Sequence, residues 1–305
     1  MRPRSDFAVI LGSILIVAGL LPTRAAPRHE RHSVNINGGG RHPIADCSDL
    51  HIEFDDRDAV VRSEEHTLAK AQAPVLSVHP HANGGTQVVG WDNADYSVTA
   101  CKAVAAGDSA ERVLSEISVS IVGGTVSTHG PSGVDRDWTV YLLVRSPKSA
   151  AIDLDTMNGP ISLYDVDGKL TAHAHNGPIG LHNFSGDAEI SAQNGPISVE
   201  GSSGNIRIKT ENGPISVDLK ETNWNGRGLS ADAHNGPVTL RVPNGFQSSF
   251  VVESTHAPMS CRASICESAR KTWDQEHRRI EYGSSPAVVH LSTVNGPVSV
   301  EEARD

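Results

Sequence analysis

The triplet Asn-Gly-Pro recurs at an almost constant interval, and this recurrence constrains the fold more than any other feature of the 305-residue sequence. Its asparagines are Asn158, Asn176, Asn194, Asn212, Asn235 and Asn295. The first four are equally spaced, and the interval from Asn212 to Asn235 is slightly longer. A degenerate copy, His256-Ala257-Pro258, lies between the last two triplets. Self-similarity at such a period indicates a repeat architecture in which each unit packs on its neighbours.

Each repeat unit is predicted to contain two short strands. After the proline, apolar residues alternate with small polar ones, as in Ile161-Ser162-Leu163 and Ile197-Ser198-Val199. A second alternating segment precedes the asparagine, as in Ile206-Arg207-Ile208. Alternation with a period of two indicates strands that bury one face.

Two all-β architectures can accommodate this pattern: a single-stranded β-helix, or β-solenoid, with 18-residue coils, and an antiparallel β-meander or sandwich. Asn-Gly alone favours a hairpin, because both residues tolerate the positive φ of a type I′ turn. The proline that follows cannot donate the N–H that closes such a hairpin. We therefore predict the β-solenoid, with equivalent residues about 4.8 Å apart in successive coils. The six asparagines then form a structural turn ladder, joined by side-chain amides.

Residues 1–26 have the pattern of a secretory signal peptide. Arg2 and Arg4 precede an apolar run from Ala8 to Leu21, and small residues follow for cleavage after Ala25 or Ala26. The run is shorter than the ~20 residues of a membrane span, although an uncleaved anchor is the alternative interpretation. We expect an exported protein, periplasmic or extracellular at the cell surface, with no stable membrane span after cleavage.

The rest of the chain is predicted as one repeat domain with an irregular beginning. Residues 27–44 form a flexible segment, residues 45–150 form degenerate strands, and residues 151–300 form the regular solenoid before a tail at 301–305. Within the degenerate part, a capping residue and apolar positions at helical spacing predict a short helix over residues 108–117.

An insertion at residues 261–283 interrupts the repeat. Cys261 takes a position that other coils fill with Leu or Val, and the polar segment Glu267–Arg279 that follows is compatible with a helix. We expect a surface loop closed by a disulfide between Cys261 and Cys266, with a ligand-contacting flap as the alternative.

The chain contains four cysteines, which fit an oxidising compartment. Four cysteines allow three pairings, of which we favour Cys47 with Cys101 and Cys261 with Cys266. Cys261 and Cys266 lack the two-residue spacing of zinc knuckles and have no second close pair, so we predict no zinc site there.

The charge balance argues against nucleic acid as a partner. The chain has 36 acidic and 26 basic residues, a net charge of −10, and no cluster of Lys and Arg interleaved with aromatic residues. An acidic surface of this kind repels a phosphate backbone.

Polar residues on the predicted outer faces could in principle bind a metal. His173, His175 and His234 fall on outward strand positions, with Asp155 and Asp232 in the same columns. The equivalent positions of other coils hold Ser, Gln, Lys and Glu, which do not form one ligand set. We therefore interpret these histidines as a solvated face and predict no metal and no cofactor.

No group of residues has the spacing of a catalytic site. Asp153 and Asp155 are the only close carboxylate pair in the regular coils, and no arginine occupies the adjoining column. Phosphate-binding loops and the Gly-x-Ser-x-Gly motif do not occur in the sequence. We predict that the protein is not an enzyme.

The strand Trp138–Val144 leads into the first regular coil, and the segment Val289–Val298 closes the repeat. With these segments and its Asn-Gly-Pro turns, the chain resembles the bacterial putative-adhesin family of β-strand repeat proteins. The resemblance covers most of residues 45–300. It implies an exported repeat protein whose biochemical function is not generally established.

The leading hypothesis is a non-enzymatic, adhesin-like binding protein that presents a rigid β-surface to an envelope or surface ligand, which could be a glycan, a peptide or a protein. An accessory domain that senses envelope stress is the second hypothesis. A polysaccharide-cleaving β-helix enzyme that uses Asp153 and Asp155 is the third.

Overall fold

The computed structural model describes residues 34–37, 42–132, 137–274, 278–286 and 288–303. The predicted signal peptide and most of segment 27–44 lie outside the described residues. Within them the chain is all-β, since 25 strands form two large sheets beside a single α-helix, α1 (Ala110–Glu116). This helix occupies the position at which the sequence predicts one.

Each of the two sheets is one unbroken row of hydrogen-bonded strands. In spatial order, the 13-stranded sheet contains β1 (Val34–Asn37), β2 (His51–Phe54), β3 (Arg57–Ala69), β6 (Asp95–Ala105), β9 (Trp138–Pro147), β5 (Thr86–Trp91), β11 (Ile161–Tyr164), β13 (Ile179–His182), β15 (Ile197–Glu200), β17 (Ile215–Asp218), β19 (Val238–Val242), β25 (Val298–Glu302) and β21 (Met259–Cys261). The 12-stranded sheet contains β22 (Arg270–Trp273), β23 (Arg278–Tyr282), β20 (Ser249–Ser254), β24 (Val288–Asn295), β18 (Gly228–Asn235), β16 (Asn205–Asn212), β14 (Ser185–Asn194), β12 (Asp167–Ala174), β10 (Ala151–Thr156), β4 (Val75–His79), β8 (Thr125–His129) and β7 (Ser118–Val122).

Nine strand pairs follow a common pattern within the described residues, and we call each pair a rung. A rung is one strand of the 12-stranded sheet and the strand of the 13-stranded sheet that comes next in the chain. In spatial order the rungs are β8/β9, β4/β5, β10/β11, β12/β13, β14/β15, β16/β17, β18/β19, β24/β25 and β20/β21. Neighbouring rungs pair in parallel in both sheets. An antiparallel meander therefore does not describe the repeat region.

The register of these rungs follows the sequence repeat. Ile179 pairs with Ile161 on one side and with Ile197 on the other, which is a register shift of one repeat unit in each direction. One buried column in the 13-stranded sheet consists of Leu142, Thr86, Ile161, Ile179, Ile197, Ile215, Val238 and Val298. Burying an isoleucine side chain contributes about 2 kcal/mol, so this alignment of apolar positions fixes the register.

The rungs do not follow one another in chain order at either end of the stack. Rung β4/β5 lies between rungs β8/β9 and β10/β11, although β8 and β9 come after it in the chain. Likewise, rung β24/β25 lies between β18/β19 and β20/β21, although it comes last in the chain. Each end of the stack therefore contains a rung that is inserted between two others.

The N-terminal part adds antiparallel strands to this stack. Strand β3 pairs antiparallel with β6, and β6 pairs antiparallel with β9. Strands β1 and β2 continue the sheet, and a small separate core forms here around Phe54, Tyr141 and Leu143. Strand β1 lies within segment 27–44, which the sequence predicts to be flexible.

The insertion after Cys261 contains two strands, although its polar composition is compatible with a helix. Strands β22 and β23 pair antiparallel with each other, and β23 pairs antiparallel with β20. The insertion thus covers the backbone edge of β20, which would otherwise be open to further strand pairing. The helix interpretation is wrong for these residues, because β23 pairs with the edge of β20 and β22 pairs with β23.

Two disulfides join Cys47 to Cys101 and Cys261 to Cys266, which is the pairing favoured from the sequence. The first bridge ties a short 3-10 turn (Cys47–Asp49) to β6, and the second closes the loop after β21. Among the described residues, no helix is long and apolar enough to cross a membrane.

Candidate functional site

The Asn-Gly-Pro turns form a continuous ladder of side-chain amides along one edge of the stack. The amide nitrogen of Asn176 donates to the amide oxygen of Asn158 at 2.9 Å, and Asn194 donates to Asn176 at 2.9 Å. The other predicted members, Asn212, Asn235 and Asn295, continue the ladder with bonds of 3.0 Å. The ladder also has a seventh member, because Asn158 donates to Asn83 at 3.1 Å.

The glycine of each triplet is required by the close approach of neighbouring turns. A Cβ atom on Gly195 would lie 2.1 Å from the carbonyl oxygen of Gly177, which no side chain can accept. The carbonyl oxygen of Pro196 accepts a hydrogen bond from the N–H of Ile179 in the neighbouring rung at 2.9 Å. The asparagine side chains and the glycine and proline backbone therefore hold neighbouring rungs together.

The outer face of the 13-stranded sheet carries one row of charged side chains whose members satisfy one another. The rings of Tyr164 and His182 are stacked with centroids 4.7 Å apart, and His182 Nδ1 lies 3.5 Å from Glu200 Oε2. Burial lowers the pKa of His182 and outweighs the opposite effect of Glu200. Lys220 Nζ lies 3.3 Å from Glu200 and 3.6 Å from Asp218. This row stabilises the stack and presents no free binding group.

The histidines considered as metal ligands from the sequence do not converge. His173 Nδ1 lies 2.9 Å from Ser191 Oγ, and Asp155 is its register partner on the other side. Asp232 accepts a hydrogen bond from Ser292 at 2.5 Å. His175 and His234 belong to no group of three potential ligands within the described part of the chain.

A different trio has the spacing of metal ligands. The ligand atoms of His51, Glu53 and Asp58 lie within 4.8 Å of one another on the hairpin of β2 and β3. His51 Nε2 and Glu53 Oε1 are already 3.0 Å apart, and two of the three residues are exposed. Side chains of this kind on a hairpin surface commonly pair with each other in solvent, so the trio does not define a functional site.

The carboxylates considered for catalysis also lack partners for chemistry. The register partners of Asp153 are Ser77 and Thr171, and no arginine is adjacent in register. Acid and base groups that work together must lie within reach of one reacting atom. The register partners of Asp153 therefore supply no cation that could assist such chemistry.

An open groove of about 920 Å³ lies beside Trp91, at the end of β5. We call it the Trp91 groove. Its walls are mostly apolar and include Pro74 and Pro147. The indole Nε1 donates to the carbonyl oxygen of Asp95 at 2.8 Å, which fixes the ring plane. A fixed aromatic face in an apolar groove is a common way of binding small ligands.

Two lysines line the same groove, and each is held in position. Lys148 Nζ lies 2.8 Å from Asp92 Oδ1, and this contact raises the pKa of Lys148. Lys70 Nζ donates to the hydroxyl of Ser149 at 3.3 Å. The groove therefore combines an apolar wall with a few polar groups whose geometry is set in advance.

A second cavity of about 440 Å³ lies on the outer face of the same sheet, and we call it the Arg145 cleft. Its polar lining includes Arg145, Glu65, Ser97 and Thr99. The guanidinium carbon of Arg145 lies 6.0 Å from the centroid of the Trp91 ring. Arg145 and Trp91 thus connect the cleft to the groove.

Sequence reasoning missed these residues because none of them belongs to the repeat. Trp91 is one of only four tryptophans in the chain, and Asp92 and Asn93 follow it directly. A half-buried tryptophan at a strand end next to a polar turn is a signal that could have found the groove. Arg145 gives no sequence signal, because its position over Trp91 depends on the parallel pairing of β5 with β9.

Comparisons with known proteins give only distant likenesses. No family model matches the chain, and no curated protein matches it. Similar solved structures include a putative cell adhesion protein from Clostridium sporogenes, with 10% identity, a TM-score of 0.32, and coverage of 80% of this chain and 100% of that one. Another is a putative adhesin from Bacteroides fragilis, with 10% identity, a TM-score of 0.35, and coverage of 80% and 98%.

A third is a putative lipid binding protein from Parabacteroides distasonis, with 11% identity, a TM-score of 0.34, and coverage of 82% of this chain and 98% of that one. Identities and TM-scores of this size support no inference about what this chain binds.

Proposed function

We propose that this chain is a non-enzymatic, adhesin-like binding protein that presents a rigid β-surface to a glycan, peptide or protein ligand. The observation that carries the proposal is the Trp91 groove, which holds a fixed indole beside apolar walls. A groove with these properties binds a ligand by covering an apolar face and orienting a few polar groups.

The position of the groove supports this proposal. Strand β5 carries Trp91 at its end and is paired on both sides, with β9 and with β11. A strand between two neighbours has little freedom to move, so the indole is presented in one orientation. Presenting a fixed aromatic face costs little conformational entropy when a ligand binds.

We also propose that the repeat region is a single-stranded β-helix. The supporting observations are the parallel pairing of successive rungs and the register shift of one repeat unit between equivalent positions. A crystal structure in which the repeat strands were antiparallel would contradict this architecture. Resemblance to the putative-adhesin family is part of the same proposal and is supported by the Asn-Gly-Pro turns.

Export to the periplasm or the cell surface is likewise proposed. Two disulfides support it, because structural disulfides persist in oxidising compartments. The signal-peptide pattern of residues 1–26 points the same way. Immunodetection of the chain in the cytoplasmic fraction alone, with its cysteines reduced, would contradict export.

The binding proposal is tested with glycan and peptide arrays probed with the full chain and with Trp91→Ala. We expect the wild-type chain to bind a defined set of ligands and Trp91→Ala to weaken that binding at least tenfold, because stacking on the indole is lost. Trp273→Ala is the matched control. Trp273 is 53% exposed on edge strand β22, at the opposite end of the 12-stranded sheet from β7 and β8.

We expect Trp273→Ala to bind like the wild type. Equal loss in both tryptophan variants, or no loss in Trp91→Ala, would show that the groove is not the binding site. Circular dichroism of each variant checks that the fold is retained.

A further inference from the structure

We infer that the ligand of the Trp91 groove is an acidic glycan, whose carboxylate is bound by Arg145 while a sugar ring stacks on Trp91. This inference rests on the proposed binding function and names the ligand class for it. The pairing state of Arg145, its position and the groups around it carry the inference.

Arg145 differs from many arginines of the chain in having no carboxylate partner. Its guanidinium lies within 4.0 Å of no carboxylate in the described residues, although the side chain is exposed. By contrast, the guanidinium groups of Arg241 and Arg227 lie 3.5 Å from Glu301 and 2.8 Å from Asp187. In a chain with a net charge of −10, an arginine that is left unpaired beside two cavities is available for an external anion.

The position of Arg145 suits recognition of a carboxylate. Its guanidinium carbon lies 6.0 Å from the Trp91 ring centroid, so the ring helps to hold the side chain in place. A guanidinium can donate two parallel hydrogen bonds to one carboxylate, which gives direction as well as strength. Ser97 and Thr99 line the same cleft and offer hydroxyl donors.

Two other polar groups of the Arg145 cleft are already occupied. The side-chain amide of Gln87 accepts from Ile44 N at 2.8 Å and donates to Ile44 O at 2.9 Å. Asp46 accepts bonds from Ser48, which hold the pKa of Asp46 below its usual range. Gln87 is therefore occupied, and the ionised Asp46 adds a second negative charge to the cleft beside Glu65.

Glu65 sets the direction from which an acidic ligand can enter. It lines the cleft together with Arg145 and would repel a second carboxylate placed beside it. The favourable side of Arg145 is therefore the side that faces Trp91 and the lysine-lined groove. Of the two lysines there, Lys148 is paired with Asp92, and Asp95 also lines the groove, so Arg145 is the cation that we expect to bind the carboxylate.

The short separation of 6.0 Å between the Arg145 guanidinium carbon and the Trp91 ring centroid suits a uronic acid better than a peptide. A uronic acid carries its carboxylate directly on the sugar ring, so one residue can place its ring on Trp91 and its carboxylate on Arg145. A peptide carboxylate requires an aromatic or apolar side chain to be oriented separately, at an additional cost in conformational entropy.

The experiment is titration calorimetry of the full chain with tetragalacturonate and with its methyl ester, which has the same rings and no charge. We expect the acid to bind at least tenfold more tightly than the ester. The net charge of the chain opposes this preference, so the preference reports a local cation. Arg145→Ala should remove it, and Arg145→Lys should restore only part of it.

Arg207→Ala is the matched control, since Arg207 is an exposed arginine on the outer face of the 12-stranded sheet. It should behave like the wild type. No binding of the acid at millimolar concentration, equal binding of the ester, or an unchanged preference in Arg145→Ala would each overturn the inference.

Those outcomes leave the proposed function standing if Trp91→Ala still abolishes binding of another ligand on the arrays. The proposed function itself would instead be contradicted if binding on the arrays were unaffected by Trp91→Ala. The two failures are therefore distinguishable.

Discussion

The strands of the repeat region and those of the N-terminal region are stabilised in different ways. Between β10/β11 and β18/β19, each rung is stabilised by copies of itself, through the Asn ladder and the aligned apolar columns. In the N-terminal region the strands β3, β6 and β9 pair antiparallel, a second small core forms, and a disulfide joins Cys47 to Cys101. Only the stabilisation of the repeat region depends on repetition of the sequence.

This difference explains where the candidate site lies. In the repeat region several outward charged side chains pair with neighbours in adjacent rungs, as Arg241 does with Glu301. At the junction with the N-terminal region the pairing partners change, and Arg145 and Trp91 are left facing two cavities. The Trp91 groove and the Arg145 cleft thus lie where the regular stacking ends.

The largest expected effect that separates the two regions concerns the disulfides. Replacing Cys47 and Cys101 with alanine should lower the free energy of unfolding by about 4 kcal/mol, because the bridge restricts a loop of 54 residues. The same change at Cys261 and Cys266 opens a bridge across a separation of only 5 residues and should cost about 2 kcal/mol. Urea unfolding of both double variants measures the difference, and a larger cost for the second pair would contradict it.

The next effect concerns glycine. Gly195→Ala should cost about 3 kcal/mol, because the added Cβ would lie 2.1 Å from Gly177 O and force two turns apart. Gly107→Ala, in the N-terminal region, has no atom within 4 Å of the added Cβ and should change stability by less than about 0.5 kcal/mol. Equal midpoints of urea unfolding for the two variants would show that the turns are not tightly stacked.

The smallest effect concerns the ladder. Asn194→Ala removes two side-chain bonds and should cost about 2 kcal/mol, whereas Asn83→Ala removes one and should cost about 1 kcal/mol. Asn244→Ala, an exposed asparagine outside the ladder, is the control. Thermal unfolding followed by circular dichroism compares the three variants. A cost for Asn194→Ala no larger than that of the control would mean that solvent replaces the ladder bonds without loss.

Much of the all-β fold could be predicted from the triplet because each of its residues has one physical task. Proline excludes the hairpin, glycine allows close approach, and the alternating residues that follow define a strand with one buried face. The constant spacing of the triplets then places Ile179 beside Ile161. These are local requirements, and a single sequence contains all of them.

The order of the rungs could not be predicted in the same way. Counting along the chain places the degenerate copy at His256 next to Asn235, yet Asn295 is the residue that donates to Asn235. A rung with neighbours on both sides needs asparagine and glycine, and the degenerate copy has neither. At its turn, Ser254 Oγ instead bonds to both the N–H and the carbonyl of Ala257.

The candidate site was missed for a related reason. Asn83 joins the ladder although Gly-Gly follows it in place of Gly-Pro, so a search for the triplet passes over it. Arg145 and Trp91 come from strands that are far apart in sequence and meet only through the pairing of β5 with β9. Contacts of this kind depend on tertiary structure, which local sequence patterns do not encode.

The inserted rung β24/β25 changes how the stack can come apart. In a simple repeat array the repeat that comes last in the chain also lies last in space, and it frays first because it has one neighbour. Here that repeat is held between β18/β19 and β20/β21, so releasing it breaks interfaces on both of its sides. The outermost rung, in turn, is tethered at both of its chain ends. A protease that unfolds the protein by pulling on β25 must therefore break the strand pairs with β19 and with β21 at the same time.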